Sequence, residues 1–305
     1  MIGRLRRAAK LAVRPAQRVL PLGARRRYVR WLGRHPRIPY RQRLSIELLR
    51  DYLETAPNEA HRFLWAHHLA YARIYEVDQK FGAERIKPSR RMLFEDLRQY
   101  LEATGVDPAT DVHSVFEVGC SLGYLLRHLE TTMFTGATSI EGVDIDRYAI
   151  EQGNRHLAAA GSSIRLRTAD VADVDLLLDR QTIDVILCAG VLLYLPEADA
   201  AQVVSSIVRH VGTVAVFSGP AHPDRDNGTL DASTRREGDA TFVHNIDRMV
   251  VAAGGTVAWR RYEGSKQFGG NTIYFVLATG ARSGALGRGA READRLNDVV
   301  SNDPE

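Results

Sequence analysis

Residues 114–130, SVFEVGCSLGYLLRHLE, constrain this chain more than any other stretch. A short apolar strand carrying Val115, Phe116 and Val118 runs into a glycine turn at Gly119 and Gly123. A helical pattern follows at once, with Leu125, Leu126 and Leu129 on one side. A second strand, IEGVD, then ends in Asp144, 21 residues past Gly123. Strand, glycine turn, helix, strand, acid is the order in which a parallel sheet holds a nucleoside-bearing ligand at its edge.

The glycine spacing narrows the ligand. A dinucleotide site uses G-x-G-x-x-G, because the middle glycine lets a pyrophosphate approach the backbone. Here Ser121 stands at that middle position, and an acid, Glu117, precedes Gly119 by two residues. A negative group there suits a cationic cofactor better than a doubly anionic one. S-adenosylmethionine has a sulfonium, an ammonium, a single carboxylate and a ribose diol. The N–H groups opening the helix at Tyr124 can take the carboxylate, and Asp144 can accept from both ribose hydroxyls.

EVGCSLG, then GVDID, then ADV at 169–171, then IDVILCAGVLLYL at 183–195 together resemble the ordered motif series of class I S-adenosylmethionine-dependent methyltransferases. The resemblance spans residues 114–277. It implies an α/β fold: a doubly wound, Rossmann-like, seven-stranded and mostly parallel sheet with an antiparallel last strand. It also implies that Glu117, Gly119, Cys120, Ser121, Gly123, Asp144 and Ile145 line the cofactor site. Asp170 and Val171 are expected at the adenine, and the small Ala189 and Gly190 leave room for the methionine moiety. The resemblance names cofactor and reaction class but not the acceptor.

The strands are predicted over 115–118, 139–144, 164–168, 183–189 and 213–218, with a closing pair over 257–262 and 272–278. Helices are predicted over 123–130, 147–160, 196–209 and 242–253. This alternation is that of a parallel sheet covered on both faces. Before it, three- and four-residue apolar spacing predicts helices over 44–54, 58–81 and 88–103, a cap region on the substrate side. His67 and His68 are adjacent on one of these helices, so they face different ways. The domain plan is a basic arm over 1–42, a helical cap over 43–105, the cofactor domain over 106–280 and a polar tail over 281–305 expected to be disordered.

Residues 1–43 hold 14 Lys and Arg and no Asp or Glu, whereas the remaining 262 residues hold 27 bases against 37 acids. The basic character thus belongs to the arm. It is expected to stay solvated or to meet an anionic surface, the 2–13 stretch laying a thin apolar stripe on a membrane inner face. Nucleic acid is the least supported partner, since the body is acidic. The two cysteines, Cys120 and Cys188, imply no disulfide framework and a reducing, cytoplasmic setting. Both are read as buried thiols used as small apolar residues.

Candidates for a general base are His222, His244 and Tyr194, and a hydroxyl acceptor needs one within hydrogen-bond reach. A metal-assisted enzyme of this family would carry a carboxylate off the fourth strand and an Asp-Asn pair off the fifth. Here those positions read Cys188-Ala189-Gly190 and Gly219-Pro220, so no metal is assigned, although Asp224, Asp226 and Asn227 follow in a polar loop. The function expected is O-methylation of a small hydroxylated acceptor such as a sugar, glycolipid or secondary metabolite. The alternatives are an RNA or protein methyltransferase, and a non-catalytic cofactor-binding module that partners another protein.

Overall fold

Seven strands pair into one sheet in a computed structural model. It describes residues 20–35, 38, 40–70, 81, 86–178, 181–236, 239–263 and 273–280. The strands are β1 (Ser114–Val118), β2 (Ser139–Asp144), β3 (Arg165–Thr168), β4 (Ile183–Ala189), β5 (Val211–Pro220), the short β6 (Thr234–Arg235) and β7 (Phe242–Val243), β8 (Thr256–Glu263) and β9 (Ile273–Thr279); the large sheet runs in the order β3-β2-β1-β4-β5-β9-β8, and β6 pairs with β7 apart from it. The first five are parallel, and β9 lies antiparallel between β5 and β8. Predicted and observed strands agree to within a residue or two at their ends.

Side chains alternate across the pleat, so each strand feeds two cores. Val115, Val185, Leu187, Val214 and Val216 face one side, with Leu93, Leu97, Leu126 and Leu129 packed on them. Phe116, Val118, Ile186, Cys188, Ala215 and Phe217 face the other, under Val203, Val204, Ile207 and Val250. The helices supplying those layers are Pro88–Ala103, Tyr124–Thr132, Arg147–Ala159, Glu197–His210 and Ile246–Ala252.

Sheet order places the site. β2 and β3 extend from β1 in one direction, and β4 and β5 in the other, so the crevice opens at the carboxyl ends of β1 and β4. Val118 is in register with Val143 on one side and with Cys188 on the other. Gly119, Asp144 and Ala189, each one residue farther, therefore reach the same edge.

Several helix predictions need correction. The 242–253 helix begins only at Ile246; Phe242–Val243 instead pairs with Thr234–Arg235 as a two-residue ribbon. The 44–54 helix is two, Arg41–Leu48 and Arg50–Thr55, divided at Leu49. The 58–81 helix ends at Ala66, and His68 follows with φ 57°, which no continuing helix allows. Residues 71–80 lie outside the described residues, as do the 2–13 stretch and the 281–305 tail.

The basic arm is also not wholly solvated. Helix Leu22–Gly33 packs Val29 into a third core with Leu49, Leu53, Phe63 and Leu64, and it buries Leu32 as well; both side chains are 0% exposed. Its arginines are accommodated individually. Arg25 is buried, giving one N–H to the Leu48 carbonyl at 2.7 Å and two to the Asp51 carboxylate. Arg41 donates to the carbonyls of Leu32 and Gly33, satisfying the end of that helix. A buried cation with fixed acceptors is tolerated where a free one is not, and that is how an acid-free segment joins a core.

If this helix is part of the folded unit, Leu32→Ala will lower the unfolding free energy by about 2–5 kcal/mol, the range for deleting a buried leucine side chain. Urea unfolding checks this. An unchanged midpoint would mean that the segment is a tail in solution.

Candidate functional site

The turn after β1 is built from left-handed backbone. Gly119, Ser121 and Gly123 have φ of 77°, 52° and 74°. Glycine adopts this conformation without penalty, while serine does so only when something holds it. At Ser121 the holder is Asp144, whose Oδ2 accepts the Ser121 N–H at 2.8 Å. The Asp144 Oδ1 accepts the Asp146 N–H, also at 2.8 Å. One carboxylate thus ties the loop after β1 to the loop after β2. At Gly119 the reason is space as well: a Cβ there would sit 2.1 Å from Val191 Cγ2.

These loops line a cavity of about 440 Å³. Of the sequence-predicted cofactor residues, Glu117, Gly119, Cys120, Ser121, Asp144, Ile145, Asp170, Val171, Ala189 and Gly190 are in its wall. Gly123 is not. It caps the helix behind the wall, where a Cβ would meet Leu166 Cδ1 at 2.9 Å.

Glu117 is the most constrained charge in the site. It is 2% exposed, and its Oε2 has no hydrogen-bond partner. Burial pushes its carboxyl up to about 8, Arg90 opposes the rise and Asp144 adds to it. Burial also raises Asp144, to about 6, against the pull of its two N–H donors. Asp170 is committed: Oδ1 accepts the Ala172 N–H at 3.0 Å and Oδ2 pairs with Arg62 at 2.5 Å.

The base candidates fare differently. His244 is buried outside this cavity, with Nε2 2.9 Å from the Leu192 carbonyl and Nδ1 2.7 Å from Ser233 Oγ. Both ring nitrogens are occupied, so it is a strut between the loop after β4 and the 233 segment. His222 does not line the cavity either; its Nδ1 accepts the Asp224 N–H. The polar loop around it is self-satisfied. Asn227 bridges the His222 N–H and the carbonyls of Pro220 and His244, and Asp226 accepts from Gly228 and from the Tyr262 hydroxyl. That loop offers the cavity no donors. Tyr194 does reach the wall, its phenol pushed up to about 12 by burial, so it is a neutral hydroxyl there. His67 and His68 are both engaged, Nδ1 of His67 2.7 Å from the Phe63 carbonyl and Nδ1 of His68 2.5 Å from Asp146. Cys120 and Cys188 lie in opposite cores, and burial raises both thiols, Cys188 to about 12. Neither is a nucleophile at neutral pH.

Sequence reasoning missed the roof. Helix Pro57–Ala66 brings Asn58, Arg62 and Trp65 to the cavity, and the start of Pro88–Ala103 brings Arg90. Arg90 donates to Ser218 Oγ at 2.9 Å and to the Ala189 carbonyl at 3.3 Å, lying across the end of β4. Pro88 and Ser89 do announce a helix start in the sequence, which is the one local signal that could have drawn attention to Arg90.

Two outcomes test this geometry. Gly119→Val should abolish binding of S-adenosylmethionine in calorimetry with the circular dichroism spectrum retained, because the new side chain must displace Val191. Normal affinity would mean that the turn needs no glycine. The Glu117 carboxyl is raised from its ordinary 4.5 to about 8, so the folded state holds a proton that the unfolded chain has released. Stability of the ligand-free protein should therefore fall as pH climbs from about 4.5 to about 8, and Glu117→Gln should flatten that slope. An identical slope in the variant would place the proton elsewhere.

Residues 115–213 match the family model described as a methyltransferase domain. A comparison with curated sequences gives no match. Among solved structures, magnesium protoporphyrin IX methyltransferase from Synechocystis PCC 6803 with bound SAM is similar at 17% identity, covering 76% of this chain and 95% of that one, with a TM-score of 0.46. An S-adenosylmethionine-dependent methyltransferase from Clostridium acetobutylicum ATCC 824 is similar at 12% identity, covering 67% and 99%, with a TM-score of 0.47. The cyclase SpnF is similar at 12% identity, covering 62% and 80%, with a TM-score of 0.49. The motif series stands in order at the switch point of the sheet, and the part of the chain from β1 to the first residues of β5 matches a methyltransferase domain.

Proposed function

We propose that this protein transfers the methyl group of S-adenosylmethionine to an oxygen of a small hydroxylated acceptor. The observation that carries this reading is the unpartnered Oε2 of buried Glu117 beside the Gly119 cradle. A buried carboxyl with an open lone pair complements a cation and repels an anion, and the cofactor is cationic at its ammonium and sulfonium.

In this reading Glu117 receives the ammonium and the Arg90 guanidinium the carboxylate. The remaining lone pairs of Asp144 take the ribose diol, and Asp170 with Val171 edges the adenine. Ala189 and Gly190 leave space for the methionine chain. When bound, the cofactor supplies a methyl group on a sulfonium, with a neutral thioether as leaving group. The chain's part is to hold the acceptor in line and to keep water out, which supplies much of the rate. Trp65 and Tyr194, 5.2 Å between ring centroids, form an aromatic edge to the cavity. A space of about 440 Å³, walled in part by Asn58, Arg62, Trp65 and Arg90, suits a small acceptor better than an RNA or a folded protein.

Asp144→Ala should weaken S-adenosylmethionine binding by about 1.5–3 kcal/mol, the scale for hydrogen bonds to a charged group. Calorimetry on the folded variant measures this, and unchanged affinity would remove the ribose assignment. NADH binding more tightly than S-adenosylmethionine to the unaltered protein would overturn the cofactor itself. Methyl-labelled cofactor incubated with cell extract reads the acceptor class: label on small hydroxylated compounds supports the proposal, and label confined to RNA or protein overturns it.

A further inference from the structure

Helix Leu22–Gly33 presents one face to the fold and another to water. Arg25, Val29 and Leu32, at four- and three-residue spacing, are its buried side. Arg27, Trp31 and the capping residue Arg34 repeat that spacing two residues later, which turns them about 200° round the helix, and all three are exposed. Tyr28 and His35 are exposed on the same side. The rings of Tyr28 and Trp31 stack with centroids 5.6 Å apart, and His35 follows Trp31 at 4.3 Å. An aromatic row thus lies outermost on a helix that carries no acid.

Single exposed apolar side chains are ordinary on a protein surface, but a cluster of them calls for a reason. Leu20, Tyr28, Trp31 and Tyr40 are four of the seven large apolar side chains that the described residues expose. All four fall between residues 20 and 40. The charge is equally one-sided. The first two carboxylates in the sequence, Glu47 and Asp51, are taken by Arg50 and Arg25. Arg26 and Arg30 lie over the Phe63 ring. Arg27 and Arg34 stand in no ion pair among the described residues.

We infer that this face docks on an anionic lipid surface, with Tyr28 and Trp31 at headgroup depth and Arg27 and Arg34 on the lipid phosphates. Tyrosine and tryptophan favour that depth because each has an apolar body and a polar tip. Arginine reaches phosphate with its head while its stem lies along apolar surface. The charge of the whole molecule sets the same orientation. Residues 1–43 hold 14 bases and no acid, and the rest of the chain 27 bases and 37 acids. An anionic plane therefore draws this segment down and pushes the body away. A nucleic acid long enough to reach the body would meet its acids, and a two-fold contact between copies would set bases against bases. Among the described residues no helix is long and apolar enough to cross a membrane, so the contact is peripheral. It is independent of the methyl-transfer reading.

The test uses the full chain with vesicles of phosphatidylcholine alone and of phosphatidylcholine mixed equally with phosphatidylglycerol. Co-sedimentation at low salt is expected with the mixed vesicles and not with the neutral ones, and it should weaken as salt rises. Each base near an anionic surface contributes about fivefold to binding, so replacing both Arg27→Gln and Arg34→Gln should weaken partitioning roughly 25-fold. Brominated acyl chains in the mixed vesicles should quench part of the tryptophan fluorescence, and Trp31→Phe should remove that quenching. Both variants should keep the urea midpoint of the unaltered chain, because the side chains they change are exposed. The inference is overturned if the full chain ignores the mixed vesicles, or if quenching survives Trp31→Phe. It is also overturned if the double arginine variant binds as well as the unaltered chain, which would put the contact in another segment. Retention by RNA at the same salt, with the vesicles ignored, would overturn it in favour of a nucleic-acid surface.

Discussion

The site depends on one carboxylate shared by two loops. Asp144 accepts an N–H from the turn after β1 and another from the loop after β2, both at 2.8 Å. Without it, Ser121 would have little reason to hold a left-handed conformation, and the Gly119–Gly123 turn would lose its fixed shape. The carboxylate is satisfied by backbone before any ligand arrives, so the cradle is formed in advance. Pre-formed sites avoid the ordering cost of binding. The same economy appears at Asp226 and Asn227, where polar side chains organise a loop and are not left for a substrate.

The protein also uses burial as an electrostatic tool. Glu117 sits on a strand whose other core positions are apolar, and the penalty for its charge raises its carboxyl far above the ordinary range. His61 is shifted the opposite way by the same cause, because burial disfavours whichever form is charged. At neutral pH the ligand-free molecule therefore holds a protonated acid in the wall of the cofactor cavity.

Much of this was legible in the sequence, for identifiable reasons. β1, its glycine turn and Asp144 are local: apolar run, turn residues and acid lie within 31 residues, counting from Ser114. The strands of a parallel sheet are continuous apolar runs and announce themselves. Two kinds of feature escaped. Arg62 and Arg90 reach the site from helices distant in sequence, and only tertiary packing reveals where they point. Helix ends were misplaced where no strong breaker marks them, as at Leu49 and Ala66. The arm misled because a run of bases without acids reads as a solvated tail; burying Arg25 and Arg41 needed carbonyls and a carboxylate from other segments. His222 looked like a base because it sits in the loop after β5, and His244 because it stands at the start of the next helix, yet His222 Nδ1 accepts the Asp224 N–H and both nitrogens of His244 are tied.

The roof over the cofactor cavity is fastened to the sheet by polar tethers of unequal exposure. Arg62 to Asp170 is an outer clasp, its arginine side chain 56% exposed, while His68 to Asp146 is shut away from water. Asn58 to Asp199 adds a third fastening at the cavity rim. Mobile ions screen an exposed pair and barely reach a buried one. Ionic strength therefore acts on one clasp and spares another.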